Sequence, residues 1–173
     1  VLMGSALIPS KRVCEGIECV AQIPEAHLVV AGDGPEREKV ESLGKSLMGG
    51  RFQRITVPRE DMPELYRCAN VFLHMSMDEP SSNAYLEALS TGLPIVTHDR
   101  HVTQWTFGDN ALLVDTRSET ETVSQIAVAI ESAGGQRAEE KRVNWVQERF
   151  AWNKLALQYG ESISSAVRED KTI

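Results

Sequence analysis

Two carboxylates, Glu79 and Glu87, stand eight positions apart around what reads as a helix start, in the segment Glu79-Pro80-Ser81-Ser82-Asn83-Ala84-Tyr85-Leu86-Glu87. The apolar run Val71-Phe72-Leu73-His74 just before it has the character of a strand. That order leaves Glu79 in a loop above the strand. It also sets Asn83 and Glu87, four residues apart, on one face of the helix near its N-terminus. Leu86 and Leu89 fall on another face, expected to turn toward a sheet. A helix N-terminus offers free N–H groups and a partial positive charge, which suit a phosphate. Carboxylates on either side of that phosphate suit neutral hydroxyl donors. Phosphate flanked by hydroxyls describes a sugar nucleotide.

The elements that must position these groups can be traced along the chain. Short β-branched or apolar runs at 1–4, 27–31, 55–57, 70–74, 94–97 and 112–115 alternate with amphipathic segments. This alternation predicts an α/β fold, a Rossmann-like, doubly wound parallel sheet of about six strands with helices on both faces, in a single domain. Helical spacing links Val13, Ile17 and Val20, then Val40, Leu43 and Leu47, then Leu65 and Ala69. Asp61 with Glu64, and Ser118 with Glu121, have the spacing of capping boxes. The helix opened by Ser118 is expected to end at the pair Gly134-Gly135, and two more helices should follow, separated near Phe150 and Ala151.

In such a sheet, ligands collect at the carboxyl ends of the strands where the strand order reverses, between the first and fourth strands. The loop after the first strand carries Pro9-Ser10-Lys11-Arg12, the loop after the second carries Gly32-Asp33-Gly34-Pro35, and the loop after the fourth carries Glu79 and the helix start at Ser82, Asn83 and Ala84. All three are expected to converge on one crevice. Lys11 then supplies the positive charge that a diphosphate needs.

Bulk composition bounds the alternatives. The 173 residues suffice for one well-buried core and are few for two. A hydrophobic content of 42% with 25% charged residues is ordinary for a soluble protein, and no apolar run is long enough to span a bilayer. With 25 acidic against 18 basic residues, the net charge of −7 argues against a general nucleic-acid or anionic-membrane surface, so any anion site must be local. Cys14, Cys19 and Cys68 lack zinc-site spacing and are read as free thiols in a reducing, cytoplasmic setting. His98 and His101 beside Asp99 are read as loop residues at a strand end rather than metal ligands. Trp105 and Trp152 are read as packing residues, and Tyr85 as an aromatic buried against the sheet. The chain opens without Met inside an apolar run, which reads as an excised domain.

The order of Lys11, then Val29-Val30-Ala31-Gly32-Asp33-Gly34-Pro35, then Pro63-Glu64-Leu65-Tyr66, then Glu79 to Glu87 continuing through Ala88-Leu89-Ser90-Thr91-Gly92-Leu93-Pro94-Ile95-Val96, resembles the C-terminal, donor-binding half of family 4 glycosyltransferases. The resemblance reaches the closing Phe150-Ala151-Trp152 segment. It implies half of a GT-B fold, whose N-terminal, acceptor-binding domain lies elsewhere. It further implies transfer of a sugar from a nucleotide-diphospho-sugar to a glycan, lipid or small molecule, with retention of the anomeric configuration and no essential metal or other cofactor. Any attachment to the inner face of a membrane would run through the other domain. By this resemblance Glu79 contacts the donor sugar hydroxyls and Glu87 the ribose, while Ser82 and the backbone of Asn83 and Ala84 meet the diphosphate. Lys11 binds the leaving phosphates, and the base lies near the Gly32 to Pro35 turn and residues 55–57.

Two departures from the family pattern stand out. The usual arginine is replaced within Gly4-Ser5-Ala6 while Arg12 stands where a glycine commonly follows the lysine, so either Arg12 is the second cation or the leaving group is less well stabilised and turnover slower. The loop after the fifth strand, usually glycine-rich, reads Asp99-Arg100-His101-Val102-Thr103, which makes Arg100 another candidate phosphate contact. Three other readings compete. A dinucleotide-dependent oxidoreductase would need a third glycine where Arg37 stands, and its turn would follow the first strand. A sugar-nucleotide epimerase of the same two-domain fold would share the crevice. A non-catalytic sugar-nucleotide-binding module would bind and not transfer.

Overall fold

A computed structural model describes residues 1–79, 82–133 and 135–169; Pro80, Ser81 and Gly134, named above, lie outside the described residues. Six strands, β1 (Leu2–Gly4), β2 (Leu28–Ala31), β3 (Phe52–Ile55), β4 (Phe72–His74), β5 (Ile95–His98) and β6 (Leu112–Val114), form one sheet in the order β3-β2-β1-β4-β5-β6. Every pairing is parallel. The order reverses between β1 and β4, where Leu2 lies beside Phe72, so the expected switch point is present.

Alternation along the strands creates two cores. Met3, Leu28, Val30, Leu73 and Val96 turn to one face, where α1 (Val13–Ala21), α2 (Arg37–Met48) and α6 (Glu119–Ser132) cover them. Leu2, Ala31, Phe72 and Ile95 turn to the other, under α3 (Met62–Arg67), α4 (Asn83–Ser90), α5 (His101–Phe107) and α7 (Gln136–Arg149). Each fully buried Leu, Ile or Phe on these faces contributes about 1.5–3 kcal/mol relative to exposure, which is why Val71, Phe72 and Leu73 run apolar without a break up to His74. The last helix, α8 (Trp152–Glu169), follows α7 after Phe150 and Ala151, as predicted.

Four local expectations are corrected. The third strand is Phe52–Ile55, not 55–57, because α2 stops at Gly49 (φ 56°) and the Phe52 ring then packs against the bare Cα of Gly44, where a methyl would lie 2.4 Å from the ring. Asp61 sits in a helical turn with no side-chain cap, whereas Ser118 does cap, accepting from the Glu121 amide at 3.3 Å. Gly135 does not close α6. It stands instead as the N-cap of α7, and Ala133 ends the preceding helix. Leu47 is 46% exposed and Met48 takes its place in the core.

Candidate functional site

The crevice between β1 and β4 is built by a short stretch of loop. After β1, the Leu7 amide donates to Asp33 O at 2.9 Å, which ties this loop to the one after β2. A 3-10 turn, Pro9–Lys11, follows with proline in its first turn, where the missing N–H costs nothing. Arg12 then adopts φ 51° and starts α1. This path carries the Lys11 ammonium to the Glu79 carboxylate, 68 residues away in sequence, and the two groups pair with side chains only 21% and 16% exposed. The expected convergence of the first and fourth loops therefore exists in the structure. Cation and carboxylate hold each other at the mouth of the switch point.

Beneath this pair lies a polar chain that enters the core. His74, the last residue of β4, is 4% exposed, and its Nδ1 lies 2.9 Å from the Tyr85 hydroxyl. That hydroxyl is in turn 3.1 Å from Thr97 Oγ1 on β5. Burial pushes the Tyr85 phenol up to about 12, so it stays a neutral hydrogen-bonding group. The His74 Nε2 faces Glu79 Oε2 at 3.9 Å, too far for a hydrogen bond. Burial holds the imidazole down to about 4 against the pull of Glu79, which makes it neutral near pH 7 and the contact with Glu79 no ion pair.

A pH dependence follows. The unfolded chain takes up a proton at His74 near its ordinary value of about 6.5, and the native chain does so only at about 4. Stability is therefore undiminished by this group above pH 6.5 and is lost progressively as the pH falls toward 4, by up to about 3 kcal/mol. Urea unfolding at stepped pH should show this loss, and His74→Gln should remove most of it. An unchanged slope in the variant would show that other groups carry the acid sensitivity.

The helix start is formed as its residues require. Ser82 is extended (φ −118°, ψ 121°) and precedes α4 without capping it by its own side chain, so the Ser82 hydroxyl does not compete for the first amides, of Asn83 and Ala84. Tyr85, Ala88 and Leu89 face the core, and Asn83 is exposed. Glu87 points off the helix with its side chain 39% exposed, accepting from the buried Tyr66 hydroxyl at 3.2 Å, and Arg59 stands 3.7 Å from its other oxygen. Burial, then the Glu87 charge, raises the Tyr66 phenol. Leu86 was expected to face the sheet. It instead lines a cleft of about 820 Å³ whose walls include Trp105, Phe150, Trp152 and Tyr159, with Asn83 and Glu87 also lining it. Lys11 and Glu79 do not line this cleft, so its size does not mark where a diphosphate would be held.

Residues 1–132 match the family described as glycosyl transferases group 1. The chain belongs to that family. Among its relatives is LpsE, a lipopolysaccharide core biosynthesis glycosyltransferase of Rhizobium meliloti (strain 1021), 34% identical over 102 residues that make up 57% of this chain and 30% of LpsE. The fold superimposes on sucrose-phosphate synthase from Thermosynechococcus elongatus with a TM-score of 0.86 at 22% identity, covering 97% of this chain and 45% of that one. It also superimposes on HepE of Anabaena, solved in complex with UDP, with a TM-score of 0.81 at 23% identity, covering 95% and 48%. These likenesses show that the group 1 chain shares its Rossmann-like fold with part of each of these proteins. The chain spans about a third of LpsE and less than half of either solved protein.

Several site expectations for this glycosyl transferase chain need amendment. Gly32 does not offer its amide to a ligand: the N–H donates to Ile55 O at 3.0 Å, and the carbonyl accepts from Arg54 Nη1 at 3.0 Å. Arg12 has left the crevice mouth. Its guanidinium donates to Thr116 O and Oγ1 at 3.3 and 3.2 Å and to Glu15 at 3.1 Å, which braces α1 against the end of β6. Arg100 likewise donates to Met77 O at 2.7 Å and Asp78 at 3.0 Å, so it braces the loop after β4. His98 Nδ1 accepts from the Thr116 amide at 3.1 Å. Trp105 and Trp152, expected to be packed, are 59% and 83% exposed. Trp145 takes the packing role, donating to Thr106 O at 2.8 Å under the Arg149 guanidinium. Spacing in the sequence does not mark His74, Thr97, Tyr66 or Arg59 as site residues. For His74 a signal existed, namely a histidine ending an apolar strand at the reversal of strand order.

Proposed function

We propose that this chain is the donor-binding domain of a retaining glycosyltransferase, and that its N-terminal partner domain binds the acceptor. The observation that carries the reading is the Lys11–Glu79 contact across the β1/β4 switch point, next to the uncapped start of α4. Breaking the bond from the anomeric carbon to the diphosphate oxygen leaves negative charge on the diphosphate, and fixed donors aimed at that charge lower the barrier. The helix terminus alone supplies about 0.3–1 kcal/mol when exposed and about 2 when partly buried. Lys11 must therefore contribute, and because Arg12 and Arg100 are engaged elsewhere we assign the phosphate charge to Lys11. With Lys11 on the phosphates, Glu79 is free to accept from donor-sugar hydroxyls, and Glu87 from the ribose. That no essential metal takes part rests on the family resemblance, and binding in the presence of a chelator tests it. That HepE, which shares this fold, is solved in complex with UDP supports a nucleoside diphosphate as the ligand. Retention of configuration rests on the family resemblance, and the anomer of the product tests it. Among the described residues no helix is long and apolar enough to cross a membrane.

A thermal-shift panel of uridine, guanosine and adenosine diphosphates and their sugars, in buffer with a chelator, tests the reading. A bound ligand raises the melting temperature by an amount that grows with the logarithm of its concentration over its Kd, and one base should stand out. No shift with any diphosphate would end the proposal. Product analysis of the full-length protein separates transfer from epimerisation, and from binding alone.

Glu87→Ala should weaken a ribonucleoside diphosphate by about tenfold or more, since hydrogen bonds to a charged group contribute about 1.5–3 kcal/mol. The 2′-deoxy analogue should lose less. Unchanged affinity with a large fall in melting temperature would instead assign Glu87 to anchoring Tyr66.

A further inference from the structure

We propose that His74 is the positioning residue for Glu79, its Nε2–H taking over the carboxylate when Lys11 turns away to a diphosphate. This deepens the donor-binding reading and rests on it. In the structure Lys11 and His74 both address the same oxygen, Oε2 of Glu79: Lys11 bonds to it, and His74 Nε2 waits 3.9 Å away. If Lys11 swings to a phosphate, Glu79 is left as a carboxylate with a side chain only 16% exposed and no cation. A carboxylate in that position needs a new donor. A movement of about 1 Å brings Oε2 within hydrogen-bond range of Nε2.

The hydrogen-bond chain behind His74 sets which ring nitrogen carries the proton. Thr97, on β5, is fully buried and its hydroxyl lies against that of Tyr85, which in turn meets Nδ1. With Thr97 donating to Tyr85 and Tyr85 donating to Nδ1, the proton resides on Nε2 and points at Glu79. The opposite arrangement would aim an Nε2 lone pair at a carboxylate, which is repulsive. The groups that act on His74 are Glu79 from the loop after β4, Lys11 from the loop after β1, Tyr85 from α4 and Thr97 from β5. The Phe72 ring, 6.3 Å away, adds no charge. A neutral donor suits the task because it orients Glu79 without cancelling its charge, and the other carboxylate oxygen remains for a sugar hydroxyl.

Nitrogen-resolved NMR of the histidine side chains in this chain tests the exchange. Wild type should show His74 as the neutral Nε2–H tautomer near pH 7. Without ligand, Lys11→Met should shift the Nε2–H resonance downfield and raise the His74 titration midpoint by about one pH unit or more. Uridine diphosphate or inorganic pyrophosphate should cause the same downfield shift in wild type. His74→Gln, which keeps a donor near the Nε2 position, should retain diphosphate affinity, and His74→Leu should lose it several-fold. If Lys11→Met leaves the His74 resonances in place, the exchange is overturned. If a diphosphate binds and the resonances do not move, the exchange is overturned while the donor-binding reading stands. If Lys11→Met moves them but no diphosphate binds, the donor-binding reading fails and takes His74's proposed role with it.

Discussion

Lys11→Ala should lower the affinity of this chain for nucleoside diphosphates by about 10- to 100-fold while leaving the bare nucleoside within about twofold. The magnitude follows from removing one charge-assisted hydrogen bond, about 1.5–3 kcal/mol, at a site where Lys11 is the cation held at the switch point while Arg12 and Arg100 brace other segments. The selectivity follows from geometry. Lys11 reaches the switch point from the loop after β1, whereas Glu87, assigned to the ribose, stands on α4 with Tyr66 and Arg59. Calorimetry with both ligands at two salt concentrations reads the difference, and the diphosphate arm should be the more salt-sensitive. Equal losses for the two ligands would remove Lys11 from the phosphates. In the full-length protein the turnover should fall further, by about a hundredfold or more, because the leaving diphosphate gains charge in the transition state.

The architecture was readable because both signals that define it are local. β-branched runs alternating with amphipathic segments are properties of short windows, and the switch-point rule then places Lys11 near Glu79 with no knowledge of side-chain contacts. What the sequence withheld depends on pairings between distant elements. Arg12 looked like a spare cation because nothing nearby in sequence reveals Thr116, 104 residues away, as its partner. Arg100 is bound to Met77 and Asp78 for the same reason. His74 and Tyr85 are 11 residues apart on different elements, and only the packing of α4 on the sheet brings the imidazole and the phenol into contact. The third strand was set two to three residues late because Ile55 to Val57 is the more apolar run. Phe52 is fixed by its ring lying on Gly44, a tertiary contact that periodicity does not report. Leu86 illustrates the limit of reading faces: α4 has eight residues, too few for its apolar positions to define a single stripe.

Gly32→Ala is expected to be the most damaging glycine-to-alanine change among the described residues. A Cβ at this position would lie 1.9 Å from Ser5 O and 3.0 Å from Ser5 C, both backbone atoms. No rotamer change can relieve that clash. Nor can Ser5 withdraw freely, because its amide donates to Ala31 O at 3.1 Å and the next link, Leu7 N to Asp33 O, holds the same two loops together at 2.9 Å. Separating them costs about 3 kcal/mol or more. For a chain of this size that corresponds to a fall of about 6 °C or more in melting temperature. Gly50→Ala is the matched control, since nothing lies within 4 Å of the added methyl, and it should stay within about 0.5 kcal/mol of wild type. The consequence reaches the site through the chain itself. The segment from Leu7 to Lys11 is the arm that delivers the ammonium to Glu79, so prising the two loops apart moves Lys11 off its partner. Gly32→Ala should therefore lose diphosphate affinity even at temperatures where it remains folded. If it melted with wild type and bound a diphosphate normally, the close contact of these loops would not be what places Lys11.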